Sequence, residues 1–408
     1  MKRRSNWLYV FSEGITNDLL FWLVISSLFL TTVKGMSSFQ VILIALIGAG
    51  FSLLVYPLIS LFIRKAGNYW SCVVGATMLL LAILLYTFCR TIYGFCVASV
   101  LHETSFIFMA IRSVMLKNNL KEQGRAQEFV KWRSYSKLVY AVVTCVISVV
   151  TGYLFNFYTY LPQILSISCA TIGLILTIIY KDSKEVIAEK QVKFDFSLMR
   201  NGVLQFFIIL MGVAFGVLSF CQTKTNLLMQ LIMENSGISV AKISIAISWV
   251  VVVSRIIRIL SIVVLNVIYA KKKNGKAYMN TFVILILLAI GLYCVGANVK
   301  MNVVLAVVLL SIALFIVCAV RDPFTIIKEK VALSLTEDDK QASMFSLLKV
   351  YNIAGKILIT LLAMLMTLYV SLNYVFLAIL PLCVVIVALN FVFWKYVDKK
   401  NKNKKTPE

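Results

Sequence analysis

The sequence contains a single histidine, His102, and no two cysteines spaced as C-x-x-C. Metal sites built on histidine clusters or cysteine pairs are therefore excluded. No G-x-x-x-x-G-K-[ST], G-x-S-x-G or H-E-x-x-H occurs. That excludes a P-loop ATPase and the common hydrolase arrangements. No enzyme activity and no cofactor are expected. Charge is scarce too: 14% of residues are charged, against roughly 25% in soluble domains. Acidic residues are the scarcest, 17 against 40 Lys and Arg.

What fills the chain instead is apolar. Of 408 residues, 61% are hydrophobic, and the mean hydropathy is +0.92. A soluble core cannot absorb that excess, whereas a bilayer can, because lipid solvates the outer helix faces. The nine cysteines fall almost entirely within apolar runs and read as small buried hydrophobes. The amino-terminal Met-Lys-Arg-Arg and its apolar sequel imitate a secretion signal. Glu13 and Asp18 interrupt it and no small-residue cleavage site follows, so it reads as a first membrane helix.

A crossing needs about 20 mostly apolar residues. Twelve such segments are expected: 7–33, 38–63, 69–89, 92–116, 134–155, 158–180, 201–231, 238–270, 277–297, 300–320, 342–369 and 371–396. The net charge of +23 invites a nucleic-acid reading, which its distribution excludes. With both termini inside, the inner pieces hold Lys2, Arg3 and Arg4; Arg64 and Lys65; Lys117, Lys121, Arg125, Lys131 and Arg133; Lys181, Lys184, Lys190 and Lys193; Lys271, Lys272, Lys273 and Lys276; Lys328, Lys330 and Lys340; and the lysines of 395–405. The outer loops hold only Lys34, Arg90, Lys242 and Lys300. That asymmetry is the positive-inside pattern of a multi-pass plasma-membrane protein with cytoplasmic termini.

The segment 181–200 reads as a cytoplasmic linker between an amino-terminal bundle, 1–180, and a carboxy-terminal bundle with a basic tail, 201–408. Weak internal echoes fit a duplicated six-helix unit. Ala110-Ile111-Arg112 ends the fourth helix as Ala319-Val320-Arg321 ends the tenth. Gly67-Asn68 has a counterpart in Asn274-Gly275.

Six plus six helices, a basic central loop and both ends inside resemble the major facilitator superfamily over essentially the whole chain. The superfamily's G-x-x-x-D-R-x-G-R-K loop corresponds to Ser60-Leu61-Phe62-Ile63-Arg64-Lys65-Ala66-Gly67-Asn68-Tyr69. Position and glycine agree, but Arg64 replaces the aspartate. Arg64, Lys65, Gly67, Arg112 and Arg321 form the expected gating and cytoplasmic-loop set. Residues 141–152 lack the Gly-Pro of drug/proton antiporters, which weighs against multidrug efflux. The stretches Glu13-Gly14-Ile15-Thr16-Asn17-Asp18 and Lys34-Gly35-Met36-Ser37 are similar to uncharacterised bacterial members.

The resemblance implies two pseudo-symmetric six-helix bundles, alternating access, a first helix lining a central cavity and a small-molecule substrate carried by a monomer. Ionisable side chains within a bilayer are functional candidates by default. Asp18 lies near mid-depth on a polar face shared with Glu13, Gly14 and Asn17. Asp18, Glu103, His102 and Glu13 are the proton-coupling candidates. Asn17, Arg255, Arg258, Lys224, Gln222, Lys356 and Asn352 are the substrate-binding candidates. Five deep cations (Arg112, Lys224, Arg255, Arg258, Lys356) face three anions (Glu13, Asp18, Glu103), so the expected solute is anionic or zwitterionic. A lipid or lipid-linked-precursor flippase and a non-transporting receptor or immunity protein are the alternatives on the same fold.

Overall fold

The computed structural model describes residues 2–16, 18–125, 128–180, 202–271, 274–336 and 341–403. The expected linker, 181–200, lies outside them. Regular structure among the described residues is entirely helical. The helices are α1 (Lys2–Thr16), α2 (Trp22–Leu28, continued by a wide π turn, Phe29–Val33), α3 (Ser38–Phe88), α4 (Ile92–Met109), α5 (Arg112–Glu122), α6 (Phe129–Phe157), α7 (Leu161–Ile179), α8 (Gly202–Asn235), α9 (Val240–Lys271), α10 (Gly275–Asn298), α11 (Val303–Ser334), α12 (Gln341–Thr367) and α13 (Leu372–Asn403). Among the described residues, eleven helical stretches are long and apolar enough to cross a membrane.

The expected first crossing is the exception. It is not one helix over 7–33 but two pieces, α1 and α2. The carboxylate of Asp18 accepts the backbone N–H of Leu19 at 2.8 Å, which competes with the helical ladder. In hydrocarbon each backbone group released by such a break needs a partner. Trp22 N–H, at the start of α2, donates to Ser166 Oγ of α7 at 3.1 Å. At the end of α1 the partner is Arg112.

The second and third crossings form one element, α3. A loop over 64–68 was expected. The only departure from helical geometry is Gly67 (φ 79, ψ 171), a conformation that a side chain would strain. Ser37 opens α3 with a capping box: its hydroxyl accepts from Gln40 N–H, and Gln40 Oε1 accepts from Ser37 N–H. The tenth crossing is longer than expected. α11 continues through Arg321-Asp322-Pro323 to Ser334.

Two compact units divide the chain. The first comprises Met1–Gln191 with Ser239–Arg255; the second comprises Val192–Ile238 with Ile256–Glu408. In the first unit α1 packs on α6 and α7, and α3 on α4 and α7. Gly173 of α7 lets Thr16 approach so closely that a Cβ there would overlap Thr16 Cγ2. In the second unit α8 packs on α12 and α10 on α11 and α13. Gly212 and Gly216 of α8 meet Gly355 of α12 backbone to backbone, the close approach that small residues give helices in lipid.

Candidate functional site

The break in the first crossing brings Asp18 to α4. His102 Nε2 stands 3.6 Å from Asp18 Oδ1, and the two side chains keep 16% and 20% of their surface exposed. The separation is slightly long for a hydrogen bond and short for a charge interaction. Around it, Tyr86 of α3 stacks on Trp22 of α2 (centroids 4.4 Å). The Tyr86 and Phe106 rings lie 6.2 Å and 4.9 Å from the His102 ring. Glu103, the neighbour of His102, is within electrostatic reach of Tyr86. Arg255, at the end of the α9 stretch that belongs to this unit, is within electrostatic reach of Asp18 and Cys145. Asn17 lies outside the described residues.

Arg112 is 3% exposed. Its partners are helices rather than a loop. Nη1 donates to Ser12 O at 3.4 Å and to Thr16 Oγ1, and Nη2 donates to Thr177 Oγ1 of α7 at 3.0 Å. A cation at a helix carboxyl end is favourable, and here it bonds the carbonyl end of α1 just before the break. Glu13, 8% exposed, lies one turn earlier, within electrostatic reach of Arg112 and beside the Tyr9 hydroxyl. Lys65 is exposed and Gly67 forms the turn. Arg64 is helical.

The second unit gathers cations. Arg258 of α9 makes a two-pronged ion pair with Asp322 of α11: Nη2 donates to Oδ1 at 2.9 Å, and Nε to Oδ2. Arg321 Nη1 donates to Gln222 Oε1 of α8. Lys328 Nζ donates to Asn352 Oδ1 of α12. Lys328 is fully buried, 0% exposed, although the sequence placed it in an inner loop. Lys224 is 6% exposed and feels the charge of Lys356. One residue along α8, Thr225 and Tyr293 of α10 share a hydroxyl–hydroxyl bond of 2.6 Å.

The structure therefore unites Asp18 with His102, Gln222 with Arg321, and Asn352 with a lysine not among the candidates. Asp322 and Lys328 were missed. Both follow Arg321 in a stretch whose charges and proline read as a helix end. A signal was present, because Phe324, Ile327 and Val331 continue an apolar face at helical spacing. Among the described residues no group of three His, Cys, Asp or Glu side chains converges as a metal site.

No family model matches the sequence, and no curated protein matches it. Solved structures do. The crystal structure of the nucleoside transporter NupG superposes with a TM-score of 0.77 at 13% identity, covering 97% of this chain and 99% of that one. The crystal structure of a point mutant of the same transporter superposes with a TM-score of 0.76 at 13% identity, covering 96% and 99%. At that identity the likeness establishes the fold. The chain is a multi-pass membrane protein, helical throughout its regular structure among the described residues, with the fold of these two structures.

Proposed function

We propose that this chain is a secondary active transporter. It moves a small solute across the plasma membrane by alternating access, as a monomer with both termini in the cytoplasm, and Asp18 with His102 couples transport to protons. The observation that carries the reading is the Asp18–His102 pair, set where the first crossing breaks. With imidazolium and carboxylate both charged, the pair is neutral overall. Loss of one proton leaves a net negative charge where charge is costly. A change of one charge in such surroundings is sufficient to bias a two-state element.

The cations of the second unit favour an anionic or zwitterionic solute. The likeness to NupG makes nucleosides the second class to test. Full-length protein in liposomes, under an imposed pH gradient, is offered labelled nucleosides, nucleoside monophosphates, amino acids and carboxylates. Gradient-driven accumulation of at least one of them, abolished in D18N, is the expected result. Accumulation that ignores the gradient would remove the proton from the cycle.

A further inference from the structure

Helix α9 is shared. Its stretch Ser239–Arg255 belongs to the first compact unit, and from Ile256 onward it belongs to the second, although Val240–Lys271 is one helix. What holds each stretch differs in kind.

In the first unit α9 lies against α6. Asn156 Nδ2 donates to Ala241 O at 3.0 Å, and Ser244 Oγ donates to Asn156 Oδ1 at 2.9 Å. A Cβ on Gly152 would stand 2.6 Å from Ser248 Oγ and 2.7 Å from Ser244 O, the close approach that small residues allow. Ser244, Ser248 and Arg255 recur at steps of four and seven along α9. Asn156, Gly152 and Cys145 recur at the same steps, in the opposite direction, along α6. Each row therefore shares one face of its helix, and the two rows match in antiparallel register over about 16 Å. The seam begins at Asn156 and Ser244. It ends at Cys145 and Arg255, which are within electrostatic reach of each other.

The seam is lightly bonded. Ser148 and Thr144, on the same side of α6, give their hydroxyl protons to carbonyls of their own helix, Thr144 O and Tyr140 O. Ser244 divides one proton among Gly152 O, Asn156 Oδ1 and Ala241 O. Ser248 Oγ is buried without a hydrogen-bond partner, a cost that contact with water removes. Past Arg255 the hold is ionic. Arg258 grips Asp322 of α11 with two prongs, and charge-assisted bonds are roughly twice as strong as neutral ones. Of its two holds, α9 gives up the weaker first, and that is the seam with α6.

We infer that the seam of Asn156 and Gly152 with Ser244 and Ser248 is a gate: α9 leaves α6 reversibly, keeps its hold on α11, and brings water to Ser248 as it parts. The seam has two arrangements of similar free energy, closed by close packing and opened by hydration, which is what a bistable element requires. In the proposed topology it lies on the outer side. The inference deepens the transporter reading and rests on it for the purpose of the gate. The parting is a property of the two helices and is measured without any solute.

The test uses the full-length protein in phosphatidylcholine nanodiscs, with spin labels placed on introduced cysteines and distances read by pulsed electron paramagnetic resonance. The partly exposed Cys89, Cys96, Cys145 and Cys169 are first replaced by alanine; the other five cysteines are buried. F157C and K242C, both at exposed positions, report across the end of the seam. Two reference pairs, F157C with Y93C of α4 and V263C of α9 with I326C of α11, are likewise at exposed positions and do not cross it. Two distances are expected for the first pair and one for each reference pair. N156A/S244A, which removes hydrogen bonds without adding bulk, raises the share of the longer distance at least threefold. A single distance across the seam, in the parent and in N156A/S244A alike, overturns the gate. So does a share that N156A/S244A leaves unchanged, or a second distance between α9 and α11. Solute uptake is scored separately. A protein that transports while the seam keeps one distance loses the gate alone, and a seam that parts in a protein moving no solute loses the transporter reading alone.

Discussion

His102 Nε2 faces Asp18 Oδ1 at 3.6 Å, joining the middle of α4 to the break in the first crossing. If this pair carries the coupling proton, D18N lowers gradient-driven accumulation at least tenfold and leaves exchange of solute down its own gradient in place. H102Q, which removes the imidazole facing Asp18, weakens the dependence of uptake on the imposed pH gradient. Uptake in both directions, measured in liposomes under that gradient, separates the two effects. A D18N protein that still concentrates solute would rule the pair out.

Arg112 predicts a stability effect without a new charge partner. The hydroxyl protons of Thr16 and Thr177 are already given to Ser12 O and Gly173 O, at 2.7 Å each. R112M therefore strands acceptors rather than donors, at a cost of about 1–3 kcal/mol. The expected readout is a lower thermal midpoint in detergent. R112M as stable as the parent would mean that the end of α1 needs no cation.

Gly173 and Thr16 give a coupled pair. The atom that a Gly173 Cβ would meet is Thr16 Cγ2, which serine lacks. G173A is expected to cost about 1–3 kcal/mol through overpacking. In the T16S background most of that cost disappears, while the hydroxyl that Arg112 holds is kept. A double-mutant cycle on thermal unfolding reads the coupling; simple additivity would contradict it.

Gly355 offers no such relief. A Cβ there meets the carbonyl of Gly212, and backbone cannot rotate away. G355A should separate α8 from α12 and lower folded yield well below that of G173A, with no compensating change on α8 to restore it. Size-exclusion profiles of the two variants compare them directly.

The Arg258–Asp322 pair predicts asymmetry between breaking and exchanging charges. R258A or D322A each leave one charge without its partner, at a cost of about 3–5 kcal/mol where the surroundings are buried and less at the exposed edge. The double exchange R258D/D322R keeps the charges complementary and recovers part of the loss. Thermal midpoints of the four proteins decide it, and a double exchange worse than either single change would reject the pairing.

Most of the helical frame was legible because hydrocarbon demands length and apolarity, and both are one-dimensional properties. Segments 201–231 and 238–270 meet helices Gly202–Asn235 and Val240–Lys271. What failed was reading polar residues as helix ends. Arg321 and Asp322 find partners in Gln222 and Arg258, so α11 runs on and takes Lys328 inward. At the first crossing the opposite happened, since Asp18 turned its carboxylate on the backbone of Leu19 and the helix stopped. Candidate residues were visible because charge in a bilayer is rare. Their pairings were not, since the partners lie on separate helices.

The broken first crossing also decides parity. A tally of continuous apolar helices among the described residues reaches eleven, an odd number, which would send the two chain ends to opposite faces of a membrane. Counting the interrupted stretch as a crossing would make the number even, as the proposed topology with both ends in the cytoplasm requires. The Asp18 carboxylate, bonded to Leu19 N–H at the break, thus hides that stretch from any length-based tally. A topology drawn without it would invert every loop after the first.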